Sequence, residues 1–271
     1  MKVISVTGGK GGVGKTTLSI NLAISLAKKN QVLLFDADLG LANVDVLLGL
    51  KAKWRLSDYL ENRCSFEELI LEGPNGLKII PSDSGSQKFA ELKVEESAQI
   101  IHSFSKLTQQ VDYMIVDLAA GISRQVIDFA HASQNILLVI CNDPASFMDS
   151  YAVIKILYKS YHRNKFGIVV NKVKNIGEGW EVFNKFQEAV VKFMDISLNY
   201  LGAIPNDEAI TEAAQSQFSV VDKYHNAKST LSFQELANNM STWENDMPLT
   251  GGIQFFFERI LQNHTLIGSA S

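Results

Sequence analysis

Short apolar runs punctuate the chain: Val3-Ile4-Ser5-Val6, Val32-Leu33-Leu34-Phe35, Tyr113-Met114-Ile115-Val116, Ile136-Leu137-Leu138-Val139-Ile140, Gly167-Ile168-Val169-Val170 and Leu198 to Ile204. Most lack alternation of polar and apolar positions, the pattern of strands covered on both faces, and parallel sheets are built from such strands. Helix-length segments separate them, over 16–29, 94–110, 123–133, 146–162 and 179–195. This alternation predicts an α/β fold, a doubly wound and mostly parallel sheet with helices on both faces. Ligands on such a sheet sit beyond the carboxyl ends of strands, so the residues that follow each run are the first candidates for chemistry. After about residue 206 the pattern turns helical and closes with Gly251-Gly252 and an apolar segment, Ile253 to Leu261. The expected organisation is one domain over 1–248 and a C-terminal amphipathic helix and tail over 249–271.

Composition narrows the class. The chain has 271 residues and 46% hydrophobic positions, which excludes a disordered protein, and 18 Gly with 5 Pro exclude a collagen-like one. Cys64 and Cys141 stand far apart and form no C-x-x-C pair, which leaves a zinc ribbon or disulfide scaffold without ligands and favours a reducing, cytoplasmic setting. Met1-Lys2 runs straight into the first apolar stretch, too short for the hydrophobic part of a signal peptide, and no apolar run reaches the roughly 18 residues of a spanning helix. A net charge of −4 does not suggest a general nucleic-acid face, so specific nucleic-acid binding is not expected.

Directly after the first run stands Gly9-Lys10-Gly11-Gly12-Val13-Gly14-Lys15-Thr16, followed by Thr17, which fits G-x-x-x-x-G-K-[ST]. The glycines let the backbone curl into a nest of N–H groups that face phosphate oxygens. Lys15 brings a charge to the β- and γ-phosphates, Thr16 offers a hydroxyl to Mg²⁺, and the following helix aims its positive end at the phosphates. The second run ends in Asp36-Ala37-Asp38, two carboxylates at i and i+2 close to where Lys15 and Thr16 must lie. The third ends in Asp117-Leu118-Ala119-Ala120-Gly121, where Asp117 holds the place of a Mg²⁺-binding strand-end aspartate and Gly121 that of a γ-phosphate sensor. At the ends of later runs lie Asn171, whose amide can pair with an adenine edge, and the loop Pro205-Asn206-Asp207.

With Lys10 in place the loop reads GKGGVGKT, and it resembles the deviant Walker A motif of the MinD/ParA-like ATPases, which have a P-loop NTPase fold. The stretch 36–50, the segment Asp117 to Ile122 and the ending Gly252 to Arg259 look most like the flagellum-number regulator branch, the FlhG or FleN type. This resemblance covers nearly the whole chain. It implies slow, Mg²⁺-dependent ATP hydrolysis in which Asp38 orients the attacking water and Thr16, Asp38 and Asp117 are the metal-site residues, while Asp36 is structural. It implies an ATP-bound homodimer in which Lys10 reaches the partner's phosphates, and an adenine pocket at Asn171 and Pro205 to Asp207. The implied partners are a FlhF-type GTPase, a flagellar transcription activator and the inner face of the cell membrane, met through Ile253, Phe256, Phe257, Ile260 and Leu261. On a helix those five fall on one stripe, and the same stripe can instead pack on the ATPase body. Two other readings stay open: a cell-division or partition ATPase, and an anti-activator that uses nucleotide only as a structural ligand. Cluster-bearing branches of the family need cysteines this chain lacks, and the tyrosine kinases of this fold end in a tyrosine cluster, whereas no Tyr follows Tyr224.

Overall fold

The computed structural model describes residues 1–38, 43–82, 103, 110–244 and 260. Eight strands form one sheet: β1 (Lys2–Thr7), β2 (Val32–Ala37), β3 (Leu71–Glu72), β4 (Lys78–Ile80), β5 (Tyr113–Leu118), β6 (Asn135–Ile140), β7 (Lys165–Val173) and β8 (Ser197–Pro205). Their order is β3-β4-β2-β5-β1-β6-β7-β8, with every pair parallel except β3 with β4. The apolar runs thus become the strands, and the mostly parallel α/β fold is as the pattern requires. The sequence pattern did not flag β3 and β4, which at two and three residues are too short to show a period.

Alternate residues of each strand feed two cores. In β6, Ile136, Leu138 and Ile140 join the cluster that holds Phe35, Phe129 and Phe186, while Leu137 and Val139 join the cluster of Leu18, Leu22 and Phe233 on the other face. Complete burial on both faces leaves no polar side to the strand, which is why the runs carry no alternation. Ile260 is fully buried in the first of these clusters. Apart from residues 103 and 110, the helix expected over 94–110 lies outside the described residues, as do the remainder of the segment Ile253 to Leu261 and the boundary expected at 248.

The first helix, α1 (Lys15–Ala27), is covered all round because its outer face packs beneath a late helix, so its apolar residues form no single stripe. Four short helices or turns follow: α2 (Val44–Leu47), α3 (Leu56–Leu60), α4 (Phe66–Leu69) and a 3-10 turn (Pro74–Gly76). Then come α5 (Arg124–Ala132), α6 (Pro144–Tyr161), α7 (Ile176–Val191), α8 (Glu208–Gln215), α9 (Val220–Lys223) and α10 (Lys228–Thr242). Caps set their starts. Asp143 accepts the Ser146 N–H and Pro144 follows it, so α6 begins two residues before the apolar pattern suggests. Asn175 likewise accepts the Glu178 N–H and starts α7 three residues early. No described helix is long and apolar enough to cross a membrane.

Candidate functional site

The sheet places β1 between β5 and β6, and the chain passes from β1 to one side and from β5 to the other, so the crevice of a doubly wound sheet opens above the ends of these strands. The glycine-rich loop spans 8–14 at that point. Gly14 adopts φ +92°, a left-handed conformation that favours glycine, and a Cβ there would stand 2.4 Å from the Asn171 amide nitrogen. Gly9 is required for a different reason: its Cβ would fall 2.2 Å from the Asp149 carbonyl carbon on α6. At Gly11 and Gly12 a Cβ would meet nothing within 4 Å beyond the chain neighbours, so both positions border open space.

Both glycines line a cavity of about 430 Å³. Gly11, Gly12, Gly14, Lys15, Thr16 and Thr17 line it from the loop and α1, and Asp38, Ala119 and Ala120 close it from the strand ends. A larger cleft of about 810 Å³ lies at the edge strand β8 among Trp180, Phe183, Tyr200 and Trp243, but it gathers neither glycine-rich backbone nor paired carboxylates. The smaller cavity carries the chemistry.

Lys15 is buried, which pushes its ammonium pKa down, while Asp117 and Asp38 pull it back up. Asp36 and Asp117 face each other in the β2–β5 register and both are buried. Burial first, then Asp117, raises the Asp36 carboxyl to about 7, against backbone hydrogen bonds that lower it. Burial raises Asp117 to about 6, and the hydroxyls of Thr16 and Ser19 and the Lys15 charge work against the rise. Asp36 accepts the N–H groups of Asp38, Asn43 and Val44, at 3.2, 3.0 and 3.2 Å, and so ties Asp38 to the start of α2. Asp117 Oδ1 accepts from Ser19 Oγ at 2.8 Å, and its buried Oδ2 has no hydrogen-bond partner. A buried carboxylate oxygen without a donor, beside a second carboxylate, suits a divalent cation. Among the described residues no group of three or more His, Cys, Asp or Glu would hold a metal alone, so an ion here would draw further ligands from a phosphate and from Thr16.

The loop is braced from β7. Asn171 is buried and donates from Nδ2 to Val13 O at 2.7 Å, and its Oδ1 accepts the Lys172 N–H at 2.9 Å. Lys172, at φ +60° beside a register shift, donates from Nζ to Gly12 O at 2.8 Å. Two consecutive loop carbonyls are thus held by donors outside the nest. The Asn171 amide keeps one N–H beyond these bonds, which is what it can offer a purine edge. In the loop after β8, Asp207 is fully engaged: it caps α8 through Ala209 N–H and accepts both the N–H and the hydroxyl of Ser229. Pro205 is buried and Asn206 is exposed, with its N–H on Val173 O at 2.8 Å.

The two remaining motif positions differ. Gly121, at φ +98°, donates its N–H to Gly8 O at 3.4 Å and so links the loop after β5 to the loop after β1. Lys10 sits on Asp143 at 3.0 Å. Sequence reasoning missed Ser19, Asp143 and Lys172. Asp143-Pro144 with Ser146 was readable as a helix start, but nothing local marked its carboxylate as the anion of Lys10.

Residues 4–220 match the family described as the CobQ/CobB/MinD/ParA nucleotide binding domain. The chain is 42% identical to the antiactivator FleN of Pseudomonas aeruginosa over 271 residues, all of this chain and 96% of that one. It is 32% identical to the flagellum site-determining protein YlxH of Helicobacter pylori, over 96% of this chain and 90% of that one. Among solved structures it resembles the septum site-determining protein MinD complexed with Mg-ADP from Pyrococcus horikoshii, with a TM-score of 0.66, 24% identity and coverage of 88% of this chain and 95% of that one.

Proposed function

The chain belongs to the CobQ/CobB/MinD/ParA nucleotide-binding family, and on that premise we propose that it is an ATP-operated switch, dimeric with ATP and monomeric with ADP, that controls flagellar number and placement. It is a regulatory ATPase of the MinD/ParA type. The observation that carries the nucleotide chemistry is the convergence of Gly11, Gly12, Gly14, Lys15, Thr16 and Asp38 on one cavity, with Asp117 buried behind it.

The backbone N–H groups of 11–15 and the helix start cradle the phosphates, and Lys15 neutralises their charge. Its low-dielectric setting makes that single charge count for more than it would in water. Thr16 and Asp117 would hold Mg²⁺ beside Asp38, where the ion supplies charge neutralisation to the phosphates, as the Mg-ADP complex of the Pyrococcus protein supports. Asp38, tethered by its own N–H to Asp36, orients the attacking water. Asn171, Pro205 and Asn206 border the adenine. Hydrolysis is slow in the free protein, because a switch that must persist cannot turn over quickly alone.

In the dimer Lys10 reaches across to the partner's phosphates and offsets the repulsion of two facing triphosphates. The dimer then meets its partners, a FlhF-type GTPase and a flagellar transcription activator, and the inner face of the membrane through the C-terminal segment. The burial of Ile260 suits a segment that docks on the body in the free subunit and is released when the dimer forms. The likeness to an antiactivator favours a second reading in which nucleotide is a structural ligand and turnover is incidental.

Lys15→Ala and Asp38→Ala separate the two. Lys15→Ala is expected to lose ATP binding, and Asp38→Ala to keep binding and lose phosphate release. A switch needs both residues for partner control. If Asp38→Ala hydrolyses ATP as the parent does, the catalytic assignment fails; if it loses turnover yet regulates normally, the structural-ligand reading stands.

A further inference from the structure

We propose that Asp143 is the cis anion that holds Lys10 in the free subunit and thereby sets how tightly ATP closes the dimer. This rests on the dimer reading above. Lys10 Nζ lies 3.0 Å from Asp143 Oδ1, with side chains 41% and 34% exposed. The same oxygen accepts the Ser146 N–H at 2.9 Å, so one carboxylate both caps α6 and holds the lysine. The Ser146 N–H and then Lys10 keep the Asp143 carboxyl below the ordinary range. The contact is built in by the backbone as well. Gly9 packs directly on Asp149, nearly two turns further along α6, which fixes the stem of Lys10 against the helix that carries its anion.

The consequence is an exchange. Lys15 faces the phosphate cavity, whereas the Lys10 ammonium is spent on α6. To reach a triphosphate on another subunit, Lys10 must leave Asp143, and a dimer with two such lysines breaks two cis pairs. Ion pairs this exposed are worth a factor of about 1.4 to 5 each, so the two together weaken the dimer by about 2- to 30-fold. The lysine that joins the subunits is thus restrained by its own chain until a stronger anion appears.

Asp143→Asn removes the charge and keeps the cap, since an asparagine oxygen also accepts the Ser146 N–H. The test is sedimentation equilibrium with Mg-ATP in the Asp38→Ala background, for the parent and Asp143→Asn, each with Lys10 and with Lys10→Gln, and with melting curves to check the fold. With Lys10 present, Asp143→Asn is expected to lower the dimer dissociation constant about 2- to 30-fold. With Lys10→Gln it should change nothing. An unchanged or weaker dimer with Lys10 present, or equal tightening without it, overturns the proposal. A parent that stays monomeric with ATP removes the dimer reading and this proposal together, whereas a dimerising parent indifferent to Asp143→Asn removes this proposal alone.

Discussion

Alanine at Gly9 should destabilise the free protein, whereas alanine at Gly11 should leave it unchanged and weaken nucleotide binding. At Gly9 the added carbon would sit 2.2 to 2.4 Å from three atoms of Asp149, two of them backbone, where carbon atoms normally keep 3.5 to 4.0 Å. Neither the loop nor α6 can relieve that overlap by turning a side chain. The backbone must open by more than about 1 Å, and overpacking of this kind costs about 1 to 3 kcal/mol. For a domain of this size that corresponds to a fall of about 2 to 12 °C in Tm. At Gly11 the same carbon meets nothing within 4 Å, so the free protein should melt within a degree or so of the parent. Gly11 nonetheless lines the proposed phosphate cavity, and a carbon that narrows it at a similar steric cost should weaken ATP about 5- to 150-fold. Calorimetric melting without nucleotide, paired with titration of Mg-ATP, reads both quantities. A Gly11→Ala protein that binds ATP like the parent would show that the space is not the ligand's, and a Gly9→Ala protein that melts like the parent would refute the packing argument.

Asn171→Leu leaves Val13 O and Lys172 N–H without their buried partner, at about 1 to 3 kcal/mol each, and should weaken ADP and ATP alike while turnover at saturating ATP holds; selective loss of turnover would contradict a bracing role. Asp36 and Asp117, raised to about 7 and about 6 from 3.8, bind protons in the folded chain that the unfolded chain sheds above its ordinary range. The folded state therefore holds more protons between about pH 4 and 7, and the nucleotide-free protein should lose stability as pH rises through that window. Mg-ADP should flatten the profile, and a Tm that rises from pH 5 to 7.5 without nucleotide would show that the carboxylate pair is not strained. Sedimentation with anionic liposomes should require ATP, depend weakly on salt, and fail in Phe256→Glu or on truncation after Pro248; a truncated chain that sediments as well as the full one places the membrane contact elsewhere.

How much was legible depended on whether a feature is local. Five long strands read directly because β1, β2 and β5 to β7 are covered on both faces, and burial of that kind writes itself as near-continuous apolar residues; the edge strand β8 is only partly covered. The phosphate loop was equally plain, since Gly14 at φ +92° and the close approach of Gly9 to Asp149 demand glycine at fixed spacing. Helix starts were displaced where Asp143-Pro144 and Asn175 extended α6 and α7 beyond their apolar stripes. The partners of the site residues were not legible at all. Ser19 reaches Asp117 across 98 residues, Lys10 reaches Asp143 across 133, and Lys172 reaches Gly12 across 160, contacts made by sheet order that no short window contains. Asp36 shows the intermediate case: its spacing from Asp38 marked it, but only the three N–H groups it accepts distinguish a loop fastener from a metal ligand.

The central claim is that the triphosphate, bound at this loop, converts monomer to dimer. Light scattering behind size exclusion tests it most directly on the Asp38→Ala protein, in which bound ATP should persist. With Mg-ATP the mass should be twice the 30.0 kDa of one chain, and with Mg-ADP it should return to that of one chain. Equal masses in ATP and ADP, with nucleotide binding verified in both, would contradict the switch.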